Sequence, residues 1–257
     1  MLSKTKIKWI NSLERKKNRD EKRLFVAEGT KIVSDLLPLL KCRFMGVEQS
    51  AFKDEYRNFS DEIEVITPDE YKKISFQKSP QGVLAVFEKP TFDIQYEEIT
   101  ENLNLALDEI QDPGNLGTII RLADWFGIRD IFCSHHTADA FSHKTVQATM
   151  GAIGRVRVHY LDLKIFLKDL FEKMPVYGTF MDGKNVYHEN LSRNGIIIMG
   201  NEGSGISDEL LPFITQKLMI PSFPENGKTS ESLNVGIATA IIVSEFRRKF
   251  FKTGKKM

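Results

Sequence analysis

The stretch "GIIIMGNEGSGIS" (residues 195–207) decides how this chain is interpreted. An apolar run of strand length leads straight into a turn with glycine at positions 200, 203 and 205. Such a turn is typical of a place where backbone must approach a ligand closely. Its spacing, G-x-x-G-x-G, is not the dinucleotide fingerprint, and no Lys-Ser/Thr pair follows it as in a phosphate-binding loop. The turn therefore predicts a ligand held by something other than its phosphates, which disfavours a nucleotide-dependent dehydrogenase.

Two further polar turns also follow apolar, strand-like runs. They are "DPGNLGTIIR" (112–121) and "IPSFPENGKTSESLN" (220–234). In open α/β sheets ligands collect at the carboxyl ends of strands. Three such turns together predict one shared pocket, and three ordinary tight turns are the alternative.

Five polar side chains in these turns are candidates for chemistry: Asn115, Arg121, Glu202, Ser232 and Asn234. Arg121 stands among apolar neighbours of a helix that Asn115 is predicted to cap, so it is interpreted as a phosphate or carboxylate binder. Glu202 projects from the glycine turn. Ser232 and Asn234 open the last helix, and a simple N-cap is the plainer reading of Ser232.

Strand-like and helix-like segments alternate along the chain, which predicts an α/β fold. The alternation pauses at 89–101, a stretch with a proline, several charges and no period, interpreted as a linker. It restarts at 103. The pattern predicts two domains, 1–90 and 101–257.

Composition narrows the class of protein. The two cysteines, Cys42 and Cys133, are far apart, and the pair His135–His136 has no other ligand at metal spacing, so no disulfide framework or metal site is expected. No apolar run approaches the length of a membrane span or signal peptide, which predicts a cytoplasmic protein without a membrane partner.

Charge is unevenly distributed. Residues 3–23 hold nine Lys/Arg and three Asp/Glu, although the whole chain carries a net charge of only +1. Such a segment can bind nucleic acid through its phosphates. The alternative is a solvated amphipathic helix, because Ile7, Ile10 and Leu13 recur at helical spacing.

The three motifs, in this order, resemble the SpoU (TrmH) family of RNA ribose methyltransferases. The matching segments are "DPGNLGTIIRLADWFGI" (112–128), "IIIMGNEGSGIS" (196–207) and "IP…ESLNV" (220–235). The segments "RLFVAEGTKIV" (23–33) and "KSPQGVLAVFEK" (78–89) resemble that family's accessory substrate-binding domain. The resemblance covers most of the chain.

The resemblance implies a small α/β RNA substrate-binding domain followed by a knotted (trefoil, SPOUT-type) α/β methyltransferase domain with a mostly parallel sheet. It implies a homodimer that uses S-adenosylmethionine to methylate a ribose 2′-hydroxyl, in rRNA more than in tRNA. The implied catalytic residues are Asn115, Arg121, Glu202, Ser232 and Asn234. The implied donor-binding residues are Gly200, Asn201, Glu202, Gly203, Ile220 and Leu233.

Some features depart from the family or leave choices open. The loop 222–230 is longer than usual, and Gly236 stands where serine is common. Because an arginine is always protonated, Arg121 is expected to hold the substrate phosphate and favour the developing alkoxide rather than act as a base. Methylation of a base nitrogen and a non-catalytic RNA-binding relative are the alternatives.

Overall fold

The computed structural model describes residues 1–80, 82–223 and 232–251. The chain divides into two units: the first comprises Met1–Phe92 and Asp139–Arg155, and the second comprises Asp93–Ala138 and Val156–Met257. The first unit is therefore discontinuous in sequence, a feature that the division at 90–101 did not include.

The first unit is built on a mixed four-stranded sheet in the order β1-β4-β2-β3. Its strands are β1 (Leu24–Glu28), β2 (Cys42–Glu48), β3 (Ile63–Ile66) and β4 (Val83–Glu88). β4 runs antiparallel to both of its neighbours, and β2 and β3 are parallel. The helices are α1 (Lys4–Ser12), α2 (Lys16–Lys22), α3 (Thr30–Leu36), α4 (Pro68–Ile74) and, from the later segment, α7 (His143–Thr149). Short 3₁₀ turns occupy Gln49–Ala51, Asp54–Asn58 and Ala152–Gly154.

The basic N-terminal segment forms two packed helices instead of one solvated helix. Ile10 and Leu13 are fully buried, so α1 contributes to the core of the first unit. Arg19 on α2 is only 5% exposed; it pairs with Asp139 at 2.6 Å and donates to the carbonyl of Leu13. Part of the predicted phosphate-binding charge is thus used internally.

The second unit has a six-stranded, entirely parallel sheet in the order β10-β8-β9-β5-β6-β7. The strands are β5 (Leu103–Leu107), β6 (Asp130–Cys133), β7 (Arg157–Tyr160), β8 (Val176–Asn185), β9 (Gly195–Met199) and β10 (Gln216–Met219). The helices are α5 (Tyr96–Glu101), α6 (Pro113–Trp125), α8 (Leu163–Lys168) and α9 (Val235–Phe251), with a 3₁₀ turn at Asp208–Phe213. The predicted α/β class and parallel sheet are confirmed. The direction of strand succession reverses between β5 and β9, the position where such sheets bind ligands.

One edge of this sheet is fixed by a buried carboxylate at the start of β6. Asp130 accepts hydrogen bonds from His159 at 2.9 Å and from two nitrogens of Arg157 at 2.8 and 2.6 Å. Burial alone would raise the pKa of Asp130, but the hydrogen bonds and positive charge of these partners hold it below its ordinary value. The ring of His159 also stacks on Phe132.

Three local expectations need correction. The segment taken as a linker contains α5, whose Ile99 lies in the core of the second unit. Asp112, not Asn115, caps α6: its side chain accepts the N–H of Asn115 at 2.7 Å. The last helix begins at Val235, and its N-terminal N–H groups are capped by Asn234 rather than by Ser232.

Other local predictions hold. The segment "TPDE" (67–70) predicts a helix start with a capping box. Thr67 and Glu70 form that capping box on α4, with Pro68 in its first turn. α6 ends before Gly127, which has a φ of +66°. Within the ranges that the structure describes, no helix combines the length and apolarity needed to cross a bilayer.

Candidate active site

The glycine turn after β9 is closed on itself by its own backbone. The N–H of Asn201 donates to the carbonyl of Gly205 at 2.9 Å, and the N–H of Gly205 returns a bond to Asn201 at 3.0 Å. A Cβ at position 200 would lie 2.5 Å from both the carbonyl oxygen of Gly205 and the nitrogen of Ile206. Gly205 has a φ of +74°, a conformation that favours glycine. These two glycines are required by the shape of the turn.

The side chain of Asn201 is fully engaged inside the protein. Its Oδ1 accepts the N–H groups of Gly203 and Ser204 at 2.8 and 3.1 Å, and its Nδ2 donates to the carbonyl of Glu109 at 2.8 Å. Asn201 therefore shapes the turn, and it also lines the adjacent cavity.

Three of the predicted catalytic residues form a chain of hydrogen bonds. Asn234 Oδ1 accepts the N–H groups of Gly236 and Ile237 at the start of α9, and its Nδ2 donates to Asn115 Oδ1 at 2.9 Å. Asn115 Nδ2 donates to Glu202 Oε1 at 2.7 Å. Backbone N–H groups can only donate and a carboxylate can only accept, so the orientation of both amides is fixed by the ends of the chain. The first, second and third motifs thus meet at Glu202.

Gly236 belongs to this arrangement. A Cβ there would lie 3.2 Å from both Asn234 Oδ1 and the Cγ2 atom of Thr118. The glycine lets the start of α9 approach α6 closely while the cap on α9 stays intact. Gly236 therefore lies in the capped first turn of α9.

A cavity of about 920 Å³ lies beside the glycine turn. It is lined by all six residues that the family resemblance implies for binding the methyl donor, and also by Ser232. Apolar side chains from three elements complete its wall: Met199, Leu218 and Ile242. No lysine, arginine or histidine lines it within the described ranges, and Glu202 is its one carboxylate there. The predicted longer loop lies almost wholly in 224–231, outside the described residues.

Arg121 stands apart from the other candidates. It is exposed on α6 and lines a second cavity of about 740 Å³ with Trp125 and Ser244. The two cavities share Tyr187 and Ile241 as a common wall. In the described parts of the chain Arg121 makes no ion pair and no hydrogen bond, so it does not serve as a structural partner of Glu202.

Comparison with known proteins identifies the arrangement. Residues 102–244 match the family model of the SpoU rRNA Methylase family, and residues 4–85 match an MRM3-like substrate binding domain. The chain belongs to the SpoU methylase family. The segment 102–244 contains all three motifs and the entire hydrogen-bonded chain from Asn234 to Glu202.

Several known proteins are similar to this chain over nearly their whole length. The 23S rRNA (guanosine(2553)-2′-O)-methyltransferase RlmP of Bacillus subtilis is 32% identical, over 94% of this chain and 96% of the relative. A TrmH-family protein from Porphyromonas gingivalis has a solved structure with a TM-score of 0.86 at 40% identity, covering 97% of this chain and 99% of the other. The structure of the AdoMet-bound rRNA methyltransferase from Sinorhizobium meliloti has a TM-score of 0.85 at 31% identity, covering 97% of each chain.

Sequence reasoning missed several residues that line the two cavities. Thr179, Phe180 and Met181 line the cavity beside the glycine turn from within β8, where the pairing with β10 shifts register. Tyr187 lies between the two cavities. The available signal was position: "VYGTFM" (176–181) is typical of a strand, and ligands collect at the carboxyl ends of strands.

Proposed function

We propose that this chain is an S-adenosylmethionine-dependent RNA methyltransferase that modifies a ribose 2′-hydroxyl in rRNA. The observation that carries the proposal is the meeting of all three motifs at Glu202, beside a cavity of about 920 Å³. That volume lies in the range of small-molecule sites.

The residues lining this cavity fit the proposed donor. S-adenosylmethionine has no phosphates and carries a cationic sulfonium, from which it supplies an electrophilic methyl group when bound. A wall without basic side chains in the described ranges, with Glu202 as its carboxylate, suits a cation and would be poor for a nucleotide's phosphates. Backbone of Gly200 and Gly203 and the apolar side chains of Ile220 and Leu233 would enclose the rest.

The acceptor side is assigned to Arg121. Its guanidinium is exposed and unpaired in the cavity next to the donor side, so it is available to an RNA phosphate. A cation there would favour the alkoxide that develops as the 2′-hydroxyl loses its proton. Asn115 and Asn234 would orient Glu202, and Ser232, exposed at the cavity, would contact donor or substrate.

RNA binding is assigned to residues 1–90, with catalysis in 101–257. Of the basic residues in α1 and α2, Lys6 is bound to Glu62 and Glu64, and Arg19 to Asp139. Other lysines of these helices are exposed and make no ion pair in the described structure, so they would bind RNA phosphates. They are Lys4, Lys8, Lys17 and Lys22.

A homodimer through the second unit is part of the proposal. Most of the apolar half of α9 is already buried within the unit, as at Ile242 and Phe246. The helix as a whole therefore does not require a second copy of the chain to bury its apolar side chains. The exposed apolar surface is smaller: Trp125 is 83% exposed and Ile237 54%. A second copy over this face would also enclose the cavity that holds Arg121.

Three finer points belong to the same proposal. The preference for rRNA follows the relatives, which include the 23S rRNA (guanosine-2′-O-)-methyltransferase RlmB of Neisseria meningitidis, 30% identical over 70% of this chain. A cytoplasmic location is proposed together with the ribosomal substrate. The trefoil knot follows from family membership.

The test is methyl transfer to RNA with the purified full-length chain. Ribosomal RNA from a strain that lacks the gene is incubated with protein and S-adenosylmethionine, and alkali-resistant linkages are mapped. One new resistant position is expected, because 2′-O-methylation removes the hydroxyl that alkaline cleavage requires. Methyl incorporation with no resistant linkage would indicate a base nitrogen instead. Donor binding with no incorporation into any RNA would indicate a non-catalytic relative.

A further inference from the structure

We propose that Ser134, which lies outside the three motifs, is a positioning residue for the donor site. The inference rests on the proposed function, in which this site binds S-adenosylmethionine as the methyl donor. Ser134 follows β6, and its Oγ accepts the backbone N–H of Glu109 at 2.9 Å. Glu109 follows β5 and has a φ of +57°, a left-handed conformation that costs a non-glycine residue free energy. The serine hydroxyl stabilises that conformation.

The hydrogen bonds continue from Glu109 to the glycine turn. The carbonyl of Glu109 accepts from Asn201 Nδ2, and Asn201 Oδ1 holds the N–H groups of Gly203 and Ser204. Gly203 and Ser204 line the cavity beside the glycine turn, which is the proposed donor site. The left-handed turn at Glu109 aims its carbonyl at Asn201, so the hydroxyl after β6 sets the position of the backbone after β9.

The serine hydroxyl is itself held in one orientation. Thr137 Oγ1 donates to the carbonyl of Leu107 at 3.1 Å and lies 3.2 Å from Ser134 Oγ. Since the proton of Thr137 is used on Leu107, Ser134 donates its own proton to Thr137 and keeps its lone pair for Glu109. The carboxyl ends of β6, β5 and β9 are thereby joined by one directed series of hydrogen bonds.

The test compares Ser134→Ala with Ser134→Thr. Donor affinity of the full-length protein is measured by calorimetry with S-adenosylmethionine and no RNA. Ser134→Ala is expected to raise the donor Kd about tenfold, because the hydrogen bond that holds the turn in its binding position contributes roughly 1.4 kcal/mol. Ser134→Thr keeps the hydroxyl and is expected to restore Kd to within about twofold of wild type. RNA affinity should be unchanged in both variants.

A second background separates positioning from general stability. Glycine adopts a positive φ without cost, so in Glu109→Gly the loss of the serine hydroxyl should raise Kd by less than about threefold. Ser142→Ala is the matched control, because that hydroxyl accepts the N–H of Thr145 at the start of α7 in the first unit. It should lower the melting temperature and leave the donor Kd unchanged.

Defined outcomes overturn the inference. If Ser134→Ala lowers the melting temperature as Ser142→Ala does but binds donor like wild type, Ser134 is merely structural. An equal loss of affinity in the Glu109→Gly background also refutes the route through Glu109. If Ser134→Ala does not fold, Ser134→Cys, with a weaker acceptor of similar size, must show the same rise in Kd. Wild-type protein that binds no donor refutes the proposed function instead.

Discussion

Replacing Gly200 with alanine tests whether the shape of the glycine turn creates the donor site. The new Cβ would lie 2.5 Å from two backbone atoms of the opposite strand of the turn, whereas real Cβ contacts essentially never fall below 3.0 Å. The backbone must therefore move by roughly half an ångström or more. Overpacking of this kind costs about 1–3 kcal/mol. Loss of that energy from the bound state corresponds to a donor Kd raised about 5- to 150-fold.

The control for this substitution is its neighbour, Gly203→Ala. A Cβ at 203 meets only Asn201 Oδ1, at 3.5 Å, which is an ordinary contact. Thermal unfolding should show a lower melting temperature for Gly200→Ala and an unchanged one for Gly203→Ala. Calorimetry should show the larger loss of S-adenosylmethionine affinity for Gly200→Ala. Wild-type melting and affinity in Gly200→Ala would refute the claim that backbone approach shapes this site.

Four other predictions follow from contacts described above. Arg121→Ala should lower the rate of methyl transfer at least about 100-fold, because roughly 3 kcal/mol of transition-state stabilisation is lost, while donor Kd and melting temperature stay near wild type. Arg121→Lys should also have a low rate of methyl transfer. Near wild-type turnover in either variant would remove Arg121 from the mechanism. The folded-state pKa of Asp130 lies below its ordinary value, so its stabilisation is present at neutral pH and lost as pH falls through the folded-state pKa. Urea unfolding should therefore show Asp130→Asn destabilised at pH 7 and the difference shrinking in acid; a difference independent of pH would contradict this. Trp125→Glu should convert a dimer to a monomer near 29.4 kDa in light scattering, and an unchanged mass would exclude this face. Changing Lys4, Lys8, Lys17 and Lys22, the exposed lysines of α1 and α2 without an ion pair, to glutamine should weaken RNA binding and reduce its salt slope by up to about 3. Donor binding should stay intact, and an unchanged slope would assign the RNA to another surface.

Much of the site could be predicted because its signals are local. Glycine at 200 and 205 reports a backbone constraint that any sequence with that turn must satisfy. The strand ends carrying "DPGN" (112–115) and "GNEG" (200–203) could be grouped because parallel strands share one carboxyl edge. The capping box of Thr67 and Glu70 is equally local, and the segment "TPDE" (67–70) predicts it.

The errors arose where two local signals competed or where packing decided. Both Asp112 and Asn115 can cap a helix; Asp112 does so, which frees the amide of Asn115 to bond to Glu202. The same competition at the last helix gave the cap to Asn234 instead of Ser232. The role proposed for Ser134 has no sequence signature, because it depends on a left-handed residue 25 positions earlier in the chain.

The discontinuity of the first unit has a consequence for how this protein is made. Residues 139–155 contribute buried side chains to that unit, among them Phe141, which packs against Phe25 at 5.0 Å between ring centroids, and Ile153. A ribosome that has completed β4 has therefore not yet delivered all of the first unit. At about 5–20 residues per second, the missing segment arrives several seconds later, after β5, α6 and β6 have emerged. Through that interval the surface around Phe25 is uncovered, and the first unit completes its core only after two of the six strands in the sheet of the second unit, β5 and β6, have been made.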